Sequence, residues 1–164
     1  MTAAITRSTV AAIAATALAL PYATEKVTKW EGFEGRTYSD IVGKATYCWG
    51  ETRGAVPGKT YTPGFCRDAL AVRLMEFGIK IYDCLPPDLH PFTRGAFIST
   101  SYNIGIAAFC GSSMSRRALA GDLRGACKAL DMWNKAGKVV VLGLTLRRSD
   151  ERALCEAGIN GAGG

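Results

Sequence analysis

Glu31-Gly32-Phe33-Glu34-Gly35-Arg36-Thr37-Tyr38-Ser39-Asp40-Ile41-Val42-Gly43-Lys44-Ala45-Thr46-Tyr47-Cys48-Trp49-Gly50 is the stretch that decides the fold. Gly32 and Gly35 break the helix-compatible sequence before it. Residues 40–44 read as a turn and 45–49 as a strand. Residues 50–58 read as a loop, and Lys59-Thr60-Tyr61 as a further candidate strand. Together they predict a small β-lobe in a chain that is otherwise helix-rich.

Upstream, residues 21–30 fit a helix, with Tyr22, Val27 and Trp30 near helical spacing. Downstream, Thr62-Pro63 is a helix start, a capping residue followed by proline at the first position. Apolar residues then run from Phe65 to Leu85, and Pro86-Pro87 ends that helix. Further helices are expected over 93–105, 112–120, 122–136 and 145–155, with a loose glycine-rich tail over 158–164. The fold class is therefore α+β: a small β-hairpin lobe against a larger helical lobe, a cleft between them, and an apolar helix at the N-terminus.

Residues 8–24 carry no charge, but alanine dominates them. Alanine contributes little transfer energy, so this segment is short and weakly hydrophobic for a membrane span. A cleaved signal peptide, an uncleaved anchor, and a marginal anchor that inserts and later leaves all fit. An alanine-rich soluble helix is the alternative. The domain organisation read from this is a signal or anchor segment over 1–24 and a folded domain over 25–164.

The length suits one such domain. Hydrophobic residues make up 48% of the chain, which excludes intrinsic disorder. The net charge of +6 favours polyanionic partners: nucleic acid, anionic lipid or anionic cell-wall polymer. The basic residues are dispersed, with Arg116-Arg117 and Arg147-Arg148 the only dense pairs, so nucleic acid is not expected. Six cysteines (Cys48, Cys66, Cys84, Cys110, Cys127, Cys155) are widely spaced, and His90 is the sole histidine. Zinc sites need clustered ligands, so no metal site is expected. Three disulfides in an oxidising compartment fit this count. Six buried thiols in a cytosolic protein are the alternative.

Glu31 and Asp40 offer two carboxyls nine residues apart. Glycoside hydrolysis uses such a pair, one protonated and one ionised. Trp30 and Phe33 flank Glu31 and predict an apolar setting that suits an acid. Asp40 lies beside Ser39 in a polar turn. Thr46 follows on the strand, where its hydroxyl can hold a water. Spacing alone equally fits a surface glutamate and a turn aspartate, and Glu34 competes for the acid role.

The pattern Glu31-Gly32-x5-Tyr38-x-Asp40-x2-Gly43-x2-Thr46-x3-Gly50 resembles the catalytic segment of phage-type lysozymes, the T-even and lambdoid endolysins. Two further stretches resemble the same family: Thr93-Arg-Gly-Ala-Phe-x-Ser-x-x-Tyr-Asn-Ile-Gly105, and Gly121-Asp-x-x-Gly-Ala-Cys127 with Trp133, then Gly143-Leu-x-x-Arg-Arg-x-x-Glu-Arg152 and Cys155. The resemblance covers about residues 28 to 156.

It implies a catalytic triad of Glu31, Asp40 and Thr46, excludes Glu34 as the acid, and places Tyr102, Asn103 and Ser112 in the substrate cleft. It implies an inverting hydrolysis of the bond between N-acetylmuramic acid and N-acetylglucosamine in peptidoglycan, with no cofactor, by a monomer. Some relatives carry Gly-His where this chain has Gly50-Glu51, which leaves the role of position 51 open. Arg147 and Arg148 fit either a salt bridge near the helix bearing Glu31 or a solvated face.

The weak apolar segment resembles that of signal-anchor-release endolysins. That implies export through the inner membrane, a tether through residues 8–24, then a soluble periplasmic form. The family fold also implies the pairings Cys48–Cys66, Cys84–Cys110 and Cys127–Cys155. A lytic transglycosylase, or a non-catalytic membrane-anchored envelope protein, remains the alternative function.

Overall fold

A computed structural model describes residues 7–40 and 43–161. Residues 1–6 of the expected signal or anchor segment, 41–42 of the expected turn and 162–164 of the expected tail lie outside the described residues.

Helix α1 (Arg7–Glu31) is continuous through Pro21 and joins the weakly apolar segment to the stretch that ends on Glu31. Pro21 is exposed, and so is Ala17, whose carbonyl loses its partner, so water can satisfy the gap in the helix ladder. Ala12, Thr16, Ala19, Ala23 and Val27 are buried and recur every three or four residues, which is one helical stripe. That stripe packs on α2 (Pro63–Lys80) and α3 (Pro91–Ile104). Gly95 on α3 makes the approach possible, because a Cβ there would lie 2.8 Å from Cβ of Tyr22 and 3.1 Å from the Ala19 carbonyl oxygen. The alanines that weaken a membrane anchor are thus the small residues of a tight helix seam. Among the described residues, no helix is long and apolar enough to cross a membrane.

After α1, strands β1 (Glu34–Ser39) and β2 (Ala45–Cys48) form the antiparallel hairpin expected from sequence. Tyr38 pairs with Thr46 and Ser39 with Ala45, after an irregularity between Glu34 and Tyr38. The candidate strand at 59–61 makes only a bridge, Arg36 with Thr60, reinforced by the Tyr61 amide donating to Gly35 at 2.8 Å. Tyr47, Tyr61 and Phe65 stack beneath the hairpin, and the Cys48–Cys66 disulfide ties it to α2.

The Thr62 hydroxyl accepts from the Phe65 amide at 3.2 Å and caps α2. This helix ends at Lys80, earlier than its apolar run, and the chain tightens into a 3₁₀ turn over Tyr82–Cys84. His90 caps α3 by accepting from the Phe92 amide at 3.2 Å, so its role is structural. Most of α3 is buried, and its Phe97 and Ile98 share one core with Leu70, Leu74, Phe109, Met114 and Leu130.

Helices α4 (Ile106–Cys110), α5 (Ser113–Leu119) and α6 (Leu123–Lys128) follow. The single helix expected over 122–136 is instead α6, a 3₁₀ turn over Ala129–Met132, and a short hairpin of β3 (Lys135–Ala136) and β4 (Val139–Val140). Gly137 turns that hairpin with φ of 61°. Helix α7 (Leu142–Gly161) is longer than expected and absorbs the start of the predicted loose tail. Gly158 is buried there against Thr93, which anchors a segment whose composition alone suggests disorder. Disulfides Cys84–Cys110 and Cys127–Cys155 complete the pairings that the resemblance implied.

Candidate active site

Glu31 is the last residue of α1, where the helix meets the hairpin lobe. A recess of about 240 Å³ opens beside it, lined by Glu31, Gly50, Glu51, Thr52, Arg73, Phe77, Tyr102 and Asn103. Gly50 has φ of 81°, and a Cβ built on it would lie 3.5 Å from Oε2 of Glu31. A side chain there would be strained and would crowd the carboxyl, so glycine lets the β2 exit run close to it.

Arg147, on α7, donates from Nη1 to Oε1 of Glu31 at 2.5 Å. Only 3% of Arg147 is exposed, so this is a fixed contact rather than a solvated surface pair. The Tyr102 hydroxyl donates to the Trp49 carbonyl at 2.7 Å and ties α3 to the hairpin across the recess. Burial pushes the Tyr102 phenol well above its ordinary range, with the Glu51 and Glu31 carboxylates adding to the effect. It therefore remains a hydroxyl at neutral pH. Asn103 Oδ1 accepts from Nη2 of Arg148 at 3.0 Å, which holds the amide at the recess wall.

The setting of Glu31 is more polar than its sequence neighbours suggested. Consecutive helix residues point about 100° apart, so Trp30 and Glu31 face different sides of α1. Trp30 donates its indole N–H to Asp150 at 2.9 Å, and Asp150 also pairs with Lys26 and Lys29. Burial raises Asp150, but those hydrogen bonds outweigh it and hold its carboxyl below the usual range. Phe33 packs on Trp49 with ring centroids 5.0 Å apart and is itself exposed.

Glu51 sits in the recess wall with a structural set of partners. Its Oε1 accepts from the Thr52 and Arg53 amides, both at 2.8 Å, and its Oε2 faces Nε of Arg73 at 3.5 Å. Arg73 also pairs with Glu76 at 3.0 Å, and Glu76 pairs with Arg53 at 2.8 Å. Hydrogen bonds from Arg53 and Arg73 lower the Glu76 carboxyl to about 2.

Asp40 and Thr46 are outside the residues lining this recess; they sit on the hairpin whose second strand leads to Gly50. The Asp40 amide donates to Lys44 at 2.9 Å, and Asp40 Oδ1 accepts from the Lys44 amide at 2.8 Å. This continues the ladder beyond Tyr38–Thr46. By the two-residue alternation of strands, Asp40 and Thr46 belong to the same face of the hairpin. Thr46 is buried and donates its hydroxyl to the Lys44 carbonyl at 3.0 Å.

Tyr102 and Asn103 join Glu31 in the recess. Ser112 does not: it is buried, and its hydroxyl caps α5 by accepting from the Ser115 amide at 3.3 Å. Arg147 and Arg148 turn out to be buried together, a placement that sequence left open because it depends on how α7 meets α3. Among the described residues, no group of three or more histidine, cysteine, aspartate or glutamate side chains is arranged to hold a metal ion.

The family model described as phage lysozyme matches residues 28–151. A SAR-endolysin of Bacteriophage PS119 is 38% identical over 126 residues, covering 76% of this chain and 75% of the relative. Among solved structures, a mutant of P22 lysozyme superposes with a TM-score of 0.74 at 29% identity, covering 82% of this chain and 94% of its own. The muramidase domain of SpmX from Asticaccaulis excentricus gives a TM-score of 0.77 at 26% identity, covering 81% and 93%.

Proposed function

Since this chain belongs to the phage lysozyme family and is a glycoside hydrolase that lyses peptidoglycan, we propose that it cuts the β-1,4 bond between N-acetylmuramic acid and N-acetylglucosamine, with Glu31 as general acid. The observation that carries this reading is the placement of Glu31 at a helix end in a polar recess, its carboxyl held by the buried Arg147. In its protonated form, Glu31 gives its proton to the bridging oxygen as positive charge develops at the anomeric carbon. Asp40, assisted by Thr46, orients a water on the opposite face of the sugar, and attack there inverts the anomeric centre. That geometry needs a carboxyl separation of roughly 6.5 to 9.5 Å, to leave room for the water. Tyr102 and Asn103 position the glycan strand, and the enzyme acts as a monomer.

Hydrolysis and transglycosylation leave different ends. Mass spectrometry of muropeptides released from purified peptidoglycan is expected to show hydrated reducing ends, and 1,6-anhydro ends would refute the hydrolytic assignment. Glu31→Gln is expected to abolish lysis of chloroform-treated Gram-negative cells while keeping the wild-type melting profile. A fully active variant would remove Glu31 from the acid role.

We further infer that the enzyme is exported through the inner membrane, tethered first through residues 8–24, and active once that segment leaves the bilayer. The buried stripe of α1 supports this, because Ala12, Thr16, Ala19 and Ala23 cannot face lipid and the protein core at once. The folded form is therefore the released form. N-terminal sequencing of the periplasmic protein is expected to find residues 8–24 retained. A dominant species beginning after them would exclude release of the intact chain.

A further inference from the structure

Glu151, on α7, has no solvent exposure and is surrounded by donors. Its Oε1 accepts from the Ser99 hydroxyl at 2.6 Å and from Nε of Arg147 at 3.1 Å. Its Oε2 accepts from the Thr100 hydroxyl at 2.9 Å and lies 3.0 Å from Nε of Arg148. Both arginines then reach the recess. Arg147 contacts Glu31 through Nη1, and Arg148 contacts Asn103 through Nη2. Arg147 thus lies between two carboxylates, one buried behind it and one facing the cleft.

A carboxylate so deeply buried is costly and has to be compensated by charge and hydrogen bonds. Both of its ion pairs lie within α7, so they do not join that helix to α3; the Ser99 and Thr100 hydroxyls do that, and the two arginines are left to reach the cleft. Here the compensation runs through the two side chains that position Glu31 and Asn103.

We propose that Glu151 is a positioning residue for the acid: it fixes Arg147 against Glu31 and offsets enough of the positive charge behind Glu31 for that carboxyl to hold a proton. The proposal rests on the reading of Glu31 as the general acid.

The charge balance gives the direction. Glu31 faces Arg147 from α7, Tyr102 and Asn103 from α3, Arg73 from α2, and Glu51 from the hairpin exit. Arg148 stands behind Arg147. With Glu151 ionised, Arg147 and Arg148 together present one net positive charge to Glu31. Without it they present two, which favours the ionised form of Glu31 and removes the proton it must donate. Burial already lowers the Arg148 guanidinium to about 10, which fits a cation held where its charge is poorly solvated.

The test is the pH dependence of reducing-end release from purified peptidoglycan by the full chain carrying Glu151→Gln, alongside its thermal melt. The alkaline limb of kcat/KM is expected to move about one pH unit lower, with kcat reduced about tenfold at neutral pH. Glu151→Asp keeps the charge and is expected to leave the limb in place. A cooperatively melting Glu151→Gln protein with the wild-type limb and kcat would overturn the proposal.

Removing one member of a buried ion set can abolish folding, so the double variant Glu151→Gln/Arg148→Met is the second arm. It deletes one charge of each sign, and is expected to restore the limb while keeping a kcat deficit, because Arg147 Nε then meets a neutral amide in place of a carboxylate and Asn103 loses Arg148. Wild-type kcat in the double variant would refute the positioning role. An active Glu31→Gln protein in the same assay would instead remove the acid assignment itself, and the two failures are distinguishable.

Discussion

Replacing Gly95 with alanine adds one methyl group to α3 where it meets α1. That Cβ would lie 2.8 Å from Cβ of Tyr22, 3.1 Å from the Ala19 carbonyl oxygen and 3.3 Å from the Ala23 amide nitrogen. Two of these neighbours are backbone atoms, so no side chain can swing aside and α1 itself must move. Overpacking of this kind costs about 1–3 kcal/mol. Alanine in a helix recovers about 0.5–1 kcal/mol relative to glycine. The net expectation is a loss of about 1–2 kcal/mol, or a melting point about 2–8 °C lower for a domain of this size.

Gly143 near the start of α7 is the internal control, because a Cβ there meets nothing within 4 Å. Gly143→Ala is expected to raise the melting point by about 1–4 °C. The assay is a circular-dichroism melt of both variants with disulfides intact. Lysis by Gly95→Ala should fall further than its stability alone implies, since α1 carries the proposed acid, Glu31, at its end and small misplacements of such a group are costly. A Gly95→Ala protein that melts at or above wild type would show that the α1–α3 seam has slack, and the close-packing account of the alanine stripe would be wrong.

Three further expectations concern other parts of the molecule. Thr16 is fully buried and its hydroxyl has no hydrogen-bond partner among the described residues, so the near-isosteric Thr16→Val should stabilise by about 1 kcal/mol, read as a higher melting point; a lower one would mean the hydroxyl is satisfied. Glu76 is lowered to about 2 from 4.5, so its pairs with Arg53 and Arg73 stabilise the fold fully above about pH 4.5, and that contribution is lost as pH falls through about 2. The effect should be small because the pairs are partly exposed, and Glu76→Gln should flatten the acid limb of stability between those values; an unchanged limb would count against the pairs. Cys127→Ser/Cys155→Ser opens a bridge spanning 28 residues and should cost about 2–4 kcal/mol in denaturant unfolding, with no loss expected if the α6–α7 junction is held by packing alone.

Local features were legible because local chemistry causes them. Thr62-Pro63 starts α2 whatever surrounds it, and the turn over 40–44 and the strand after it are signalled by their own residues, whereas the first strand, Glu34–Ser39, has no such signal and the candidate strand at 59–61 makes only a bridge. The spacing of Glu31, Asp40 and Thr46 was visible because it is a property of one short segment. The β3–β4 hairpin was missed because its strands are two residues each and exposed, too short to show a period. The continuity of α1 through Pro21 was missed for another reason: proline argues for a boundary unless its free side faces away from the packing partners, and that depends on α2 and α3.

The amino-acid sequence by itself determined the two-lobe α+β class, the carboxyl-bearing segment and the cysteines available for pairing, since all of these follow from composition and short-range spacing. Only the tertiary structure decided which side chains complete the recess. Glu31 meets Arg147 across 116 positions, and Glu151 meets Ser99 across 52. No local pattern encodes such contacts. They exist because α1, α3 and α7 bury their faces against one another, and burial turns two arginines that could have been a solvated surface pair into fixed neighbours of the candidate acid.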